Sequence, residues 1–284
     1  MKKNLRFVYI LVCLGILFVS LVQIGRHYID YYKAKNTYQQ AENEFGLNSD
    51  AGVLLHSKEP VASVGDTNQP VESTEEADPL LLSALDYFKD SDFNALQEIN
   101  PDIIAWIVIP DPEISYPVCK GSDNQYYLEH TFDKKYSRVG AIFADYRIKE
   151  PFVEKNTVLY GHHMRDKSMF AKLMNFQTKE VWENNRYVYI CTPKEVLVYE
   201  IYSAFKGDPM GLSYHIGMTT EEDIQAYIDY TLSCANYKTE IPLSTEDSFL
   251  TLSTCTGSGH SQRMIVHCRL YGTISREHTH STET

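Results

Sequence analysis

From Phe7 to Gly25 the chain runs FVYILVCLGILFVSLVQIG, with no charged residue, and Lys2, Lys3 and Arg6 stand just before it. As a helix such a run measures about 28 Å, close to the roughly 30 Å of a bilayer core. It is longer than the apolar part of a cleaved leader and ends without an A-x-A site. The pattern predicts an uncleaved anchor with residues 1–6 in the cytoplasm, because positive residues stay on that side. Polar residues with scattered tyrosines follow from His27 to Phe45 and continue the helix outward.

Beyond Phe45 the periodicity stops. Gly46–Pro79 holds Asp50, Glu59, Asp66, Glu72, Glu75, Glu76 and Asp78 against Lys58, with Ser, Thr, Pro and Gly breaking its few apolar residues. Residues 26–79 therefore read as a juxtamembrane segment and a disordered acidic stalk. From 80 to 273 alternation returns, and one folded domain is expected. LLLSALDYFK predicts a helix. Ala105–Ile109, Ile114–Cys119, Gly140–Asp145, Thr157–Tyr160, Tyr187–Cys191, Glu195–Phe205, Phe249–Thr254 and Arg263–Tyr271 read as strands. Tyr187–Cys191 and Glu195–Phe205 form a hairpin around Thr192-Pro193-Lys194. Met169–Phe176 has a short helical pattern. Thr219-Thr220-Glu221-Glu222 resembles a capping box opening a helix through Cys234, with Ile224, Tyr227, Ile228 and Leu232 on its apolar side. The expected fold is mainly β with inserted helices (α+β), a closed barrel with helical decorations. Residues 274–284 read as a loose polar tail.

Charge sharpens this picture. The formal net charge is -12, and the stalk carries half of it, seven acids less one lysine. An acidic chain lacks the basic footprint of broad nucleic-acid binding. Six cysteines are too few for a disulfide scaffold, and with Cys13 in the apolar run the other five cannot all pair within one chain. Cys119, Cys191, Cys234 and Cys268 lie in apolar strand or helix contexts and read as buried thiols.

Cys255 stands apart. It closes the strand FLTLST and opens the polar loop TGSGHSQ, which is the exposure a nucleophile needs. On the last strand Met264, Val266, Cys268 and Leu270 alternate with Arg263, Ile265, His267 and Arg269, giving one apolar and one mixed face. If the last two strands form a hairpin, Arg263 sits beside Cys255, where a guanidinium stabilises a thiolate or a developing oxyanion. A proton-transfer partner is then required. His162 and His163 follow the strand NTVLY and Gly161, repeating the strand-end placement of Cys255. Cys255, His260, His267 and Cys268 lack zinc-ligand spacing, and adjacent strand residues point to opposite faces.

These residues resemble the sortase family, membrane-anchored cysteine transpeptidases of Gram-positive bacteria. The family pattern TLxTC reads Thr251-Leu252-Ser253-Thr254-Cys255 here, followed by Arg263 and preceded by Tyr160-Gly161-His162. The Tyr160–Met164 and Asn124–Leu128 stretches and the helix-bearing insert before TLSTC look most like class B. The resemblance implies a closed, roughly eight-stranded β-barrel without metal or organic cofactor. It implies that Cys255 attacks a Thr–X amide in the C-terminal sorting signal of a secreted protein, that His162 exchanges protons with the two amines, and that Arg263 holds the oxyanion. It also implies that an amine of a peptidoglycan precursor accepts the acyl group. Asn124, Leu128 and Ser253 match groove-lining positions, and Tyr214 lies in the connection expected to cover that groove. Some class B members carry an acidic residue just after the cysteine; Thr256 and Gly257 stand there in this chain. A pilin-polymerising member would use a lysine as acceptor. A cysteine peptidase that only hydrolyses would ignore amines, and a silent tethered scaffold would tolerate loss of Cys255.

Overall fold

The computed structural model describes residues 2–47, 55, 78–256 and 261–277. Two compact units divide between Gln40 and Ala41. The first is helical and belongs to α1 (Lys2–Glu44). Among the described residues α1 is the one helix long and apolar enough to cross a membrane. Leu11, Leu14, Phe18 and Val22 are exposed along it. The polar stretch after Arg26 stays helical to Glu44, as the continuous pattern predicts.

The second unit is built on a closed eight-stranded barrel: β1 (Ile103–Ile109), β2 (Ile114–Cys119), β3 (Ile142–Ala144), β4 (Asn156–Tyr160), β5 (Tyr187–Cys191), β6 (Glu195–Gly207), β7 (Phe249–Cys255) and β8 (Arg263–Ser275). Around the barrel the order is β1-β2-β3-β4-β7-β8-β6-β5. Closure leaves no unpaired sheet edge. Its buried residues include Trp106, Val158, Tyr199, Ile201, Leu252 and Val266.

Two neighbouring pairs run parallel, β2 with β3 and β4 with β7, and the rest antiparallel. Parallel neighbours cannot be joined by a tight hairpin and need a crossover. The β2–β3 crossover carries the 3-10 turn Tyr126–Leu128. The long route from β4 to β7 includes a 3-10 helix at Phe170–Gln177, the β5–β6 hairpin, a 3-10 turn at Leu212–Tyr214, and two α-helices. The groove candidates Asn124, Leu128 and Tyr214 therefore lie on the two crossovers that the parallel pairings require.

Three helices flank the barrel before the last strands: α2 (Pro79–Tyr87), α3 (Phe93–Ile99) and α4 (Lys179–Asn184). Asp78 caps α2 by accepting from Leu80 N at 2.7 Å, and Tyr271 on β8 donates to its other oxygen at 2.6 Å. A fourth, α5 (Glu221–Ser233), opens one residue later than the capping-box reading: Thr220 is the N-cap and accepts from Asp223 N at 3.1 Å. Its inner side is Ile224, Tyr227, Ile228 and Thr231, whereas Leu232 is exposed. Thr231 takes the inner position because its hydroxyl bonds Tyr202.

The structure revises several boundaries. The second compact unit starts well before residue 80, and Phe45 is fully buried, stacked on Trp106 at 4.6 Å and edge-on to Phe93 at 4.9 Å. Residues 48–54 and 56–77, most of the expected stalk, lie outside the described residues. Phe170–Gln177 is a 3-10 helix. At the other end β8 runs to Ser275, and Arg276, expected in a loose tail, donates to the Thr192 and Ser91 carbonyls at 3.1 and 2.6 Å. Residues 278–284 lie outside the described residues. Of the cysteines expected to be buried, Cys119, Cys191 and Cys268 are, but Cys234 is only half-buried, at the C-cap of α5.

Candidate active site

β7 places the site by register. It pairs with β8 so that Cys255 stands opposite Arg263, and Arg263 Nη1 donates to Cys255 Sγ at 2.7 Å. On its other side β7 runs parallel to β4, with Ser253 opposite Tyr160. The pair is prolonged by Gly161 N donating to the Ser253 carbonyl at 3.2 Å. His162 and Cys255 are thus each two residues past a matched pair, at the same end of adjacent strands.

Residues paired across strands share a face. One face of this three-stranded patch carries Asn156 and Tyr160 on β4, Thr251, Ser253 and Cys255 on β7, and Arg263 and His267 on β8. The mixed face read from the sequence of β8 is this face, and it is covered rather than solvated. Ile265 and His267 are both fully buried. His267 is enclosed by Tyr227 of α5, Thr251 and Ser213. Burial pushes its imidazole pKa down to about 3, so it is neutral at ordinary pH. Its Nδ1 meets the hydroxyls of Tyr227 and Thr251, and its Nε2 meets that of Ser213.

His162 is oriented from the β2–β3 crossover. Its Nε2 lies 2.7 Å from the Leu128 carbonyl oxygen. A carbonyl only accepts, so Nε2–H donates to it, and Nδ1 is the ring nitrogen left for proton exchange. The approach is close. A Cβ on Gly140, where φ is +63°, would meet the Tyr127 carbonyl oxygen at 2.6 Å and His162 Cδ2 and the Leu128 carbonyl oxygen at 2.9 Å. Gly161 is equally confined, its missing Cβ lying 2.4 Å from Ile142 Cδ1. The turn itself is anchored from below: Asn100 Nδ2 donates to Tyr127 Oη at 2.8 Å, and Tyr127 donates to Asp102 Oδ2 at 2.7 Å.

The remaining groove candidates form a connected set beside the thiol. Tyr214 and Ser253 hydroxyls are 2.8 Å apart, and the Tyr214 ring stacks on Tyr160 at 6.1 Å. Burial raises the Tyr214 pKa to about 12, so it stays a neutral hydroxyl. Tyr160 donates to Asp145 Oδ2 at 2.9 Å. Asn124 is held at both ends, donating to Asp145 Oδ2 at 3.1 Å and accepting from Tyr146 N at 3.0 Å. Burial raises the Asp145 pKa, but hydrogen bonds from Arg147, Tyr160 and Asn124 outweigh it and hold the carboxylate below its usual range. Leu128 is exposed at the rim. Tyr214, His215 and Ile216 also line an open cleft of about 470 Å³ with Arg147 and Lys149, a size ordinary for a ligand site.

A profile of the Sortase domain matches residues 107–271. The chain belongs to the sortase family. Sortase B of Listeria monocytogenes is 35% identical over 163 residues, which is 56% of this chain and 65% of that protein, so the match spans just under two thirds of the relative. Among solved structures, Clostridium perfringens sortase B superposes with a TM-score of 0.61 at 30% identity, covering 64% of this chain and all of that one. A Staphylococcus aureus sortase B–substrate complex gives a TM-score of 0.59 at 28% identity, covering 63% and 83%. The sortase likeness is to class B, and the closed barrel agrees with those structures.

Within this sortase, several positioning groups carry no signal in the sequence. Leu128 holds His162 through a backbone carbonyl, which no side-chain pattern reports. Gly140 reads as a strand start, yet its role is to leave room. Asp145 reads as a strand end, yet it gathers Asn124, Arg147 and Tyr160. Asn100 sits outside every motif. An alternating pattern marks faces, not the contacts that loops make across the barrel rim.

Proposed function

We propose that the chain is a membrane-anchored cysteine transpeptidase, held by α1 with its N-terminus in the cytoplasm and its catalytic unit outside. The single observation that carries this reading is the Arg263 Nη1–Cys255 Sγ contact of 2.7 Å, at the strand end that also presents His162. The substrate is the C-terminal sorting signal of a secreted protein. The Cys255 thiol proton passes to His162, the thiolate attacks the carbonyl carbon of a Thr–X amide, and the carbonyl π electrons move to oxygen. Arg263 donates to that oxyanion. Collapse breaks the C–N bond, the leaving amine takes a proton from His162, and a thioester remains. An amine of a peptidoglycan precursor then attacks the thioester, gives a proton to His162, and displaces Cys255 as thiolate. Splitting one amide exchange into two acyl transfers is covalent catalysis. Support comes from the family membership and from the substrate complex of the S. aureus relative.

Full-length protein in detergent, given a sorting-motif peptide and an amine, should yield the peptide–amine conjugate by mass spectrometry, and Cys255→Ala should yield none. A conjugate from Cys255→Ala would remove the nucleophile assignment. Hydrolysed peptide alone, at saturating amine, would replace transfer by hydrolysis.

A further inference from the structure

The covered face of β4, β7 and β8 carries a second polar cluster on the same strand line as the thiol. Thr251 is four residues before Cys255, about 13 Å along an extended strand. His267 Nδ1 lies 2.9 Å from Tyr227 Oη and 3.2 Å from Thr251 Oγ1. Thr251 Oγ1 in turn lies 3.0 Å from Asn156 Oδ1. These groups are fully buried. Such a cluster costs stability wherever a partner is missing, and here the partners include the crossover that carries Tyr214.

Three of its bonds reach that crossover, all to the residues on either side of Tyr214. His267 Nε2 meets Ser213 Oγ at 3.1 Å, and Thr251 Oγ1 meets the Ser213 carbonyl at 3.3 Å. Asn156 Nδ2 donates to the His215 carbonyl at 3.1 Å. Tyr214 itself points elsewhere, to Ser253 at 2.8 Å and onto the Tyr160 ring. The backbone is gripped immediately before and immediately after Tyr214, whose side chain reaches Ser253.

We infer that His267, Thr251 and Asn156 are positioning residues for the substrate groove: they clamp Ser213 and His215 and so fix Tyr214 over Ser253. The inference deepens the transpeptidase reading and rests on it for its kinetic consequence. It assigns the first threonine of the TLSTC run a task separate from the thiol, holding the groove's cover while the last residue does the chemistry. Because the imidazole stays neutral, the clamp does not loosen over the ordinary pH range. Tyr214 meets the peptide, whereas Cys255, His162 and Arg263 meet the reacting atoms, so loosening the clamp weakens peptide binding more than turnover.

The test uses the full-length protein in detergent and three readouts. These are hydrogen exchange of the Tyr214 and His215 amides, KM and kcat for a sorting-motif peptide, and the rate of Cys255 alkylation by iodoacetamide, a reagent too small to need the groove. Ser213→Ala removes one grip and little volume. It should speed amide exchange and raise KM, each by about three- to tenfold, the value of one hydrogen bond. kcat and alkylation should change less than about twofold. His267→Leu should do more, and His267→Gln, which keeps a donor and an acceptor, should recover most of the loss. In a Tyr214→Phe background Ser213→Ala should raise KM no further. Unchanged exchange in Ser213→Ala overturns the clamp. Faster exchange with an unchanged KM overturns its role in the groove. A wild-type protein that forms no conjugate removes the transpeptidase reading, while the exchange measurement still decides the clamp.

Discussion

Protonation of His267 gives the clearest energetic prediction. Its pKa falls from an unfolded value of 6.5 to about 3 in the fold because burial disfavours the imidazolium. Between those values the unfolded chain binds the proton and the folded chain does not, so stability rises with pH across this window. The contribution is complete above pH 6.5 and is lost as pH falls toward 3. Each pKa unit corresponds to about 1.4 kcal/mol, so roughly 3 kcal/mol should be gone by pH 4.5 and on the order of 4–5 kcal/mol at the acid limit. The perturbation is His267→Gln, which is polar and does not titrate. Urea unfolding of both proteins, followed by circular dichroism at pH 7.0, 5.5 and 4.5, isolates the effect. The other titrating groups are common to both and cancel in the difference. The wild type should lose its advantage over the variant by about 1 kcal/mol at pH 5.5 and about 3 kcal/mol at pH 4.5. A difference that does not change with pH would refute the claim that this imidazole is held neutral by burial.

Three further perturbations test the frame around the site. Arg263→Lys keeps a cation but loses the planar fork, and kcat for conjugate formation should fall by about 10²–10³-fold while the circular dichroism spectrum is retained. Gly140→Ala forces a side chain against two carbonyl oxygens and the His162 ring, so kcat should drop by about ten- to a hundredfold in steady-state assays. Phe45→Ala empties a buried position stacked on Trp106 and should cost about 3 kcal/mol in urea unfolding, whereas a segment outside the folded unit would show no change.

The hairpin of β7 and β8 was legible because its two strands are neighbours in sequence and alternate cleanly. Pairing them puts Cys255 against Arg263 with no knowledge of the rest of the chain. Most strands, the β5–β6 hairpin, the N-terminal apolar helix and α5 were legible for the same local reason. The boundaries failed where distant contacts override local pattern. Phe45 looks like the edge of a polar linker, yet Trp106 gives its ring a place to be buried. Arg276 looks like tail, yet three carbonyl and hydroxyl oxygens on two loops hold it.

What the sequence determined by itself was the chemistry: a thiol, an imidazole and a guanidinium at strand ends, on a chain with a span-length apolar helix. Tertiary structure decided how they meet. The parallel pairing of β4 with β7 bridges some ninety residues and sets His162 level with Cys255, and no local pattern specifies it. The same pairing forces the crossover that supplies Tyr214, and the parallel pairing of β2 with β3 forces the one that supplies the Leu128 carbonyl. Packing also decides that the mixed face of β8 is covered at His267, which is fully buried and neutral. Strand alternation records that two faces differ. Only the packing of α5 and the Leu212–Tyr214 turn against one of them determines which groups lose water, and with it their charge.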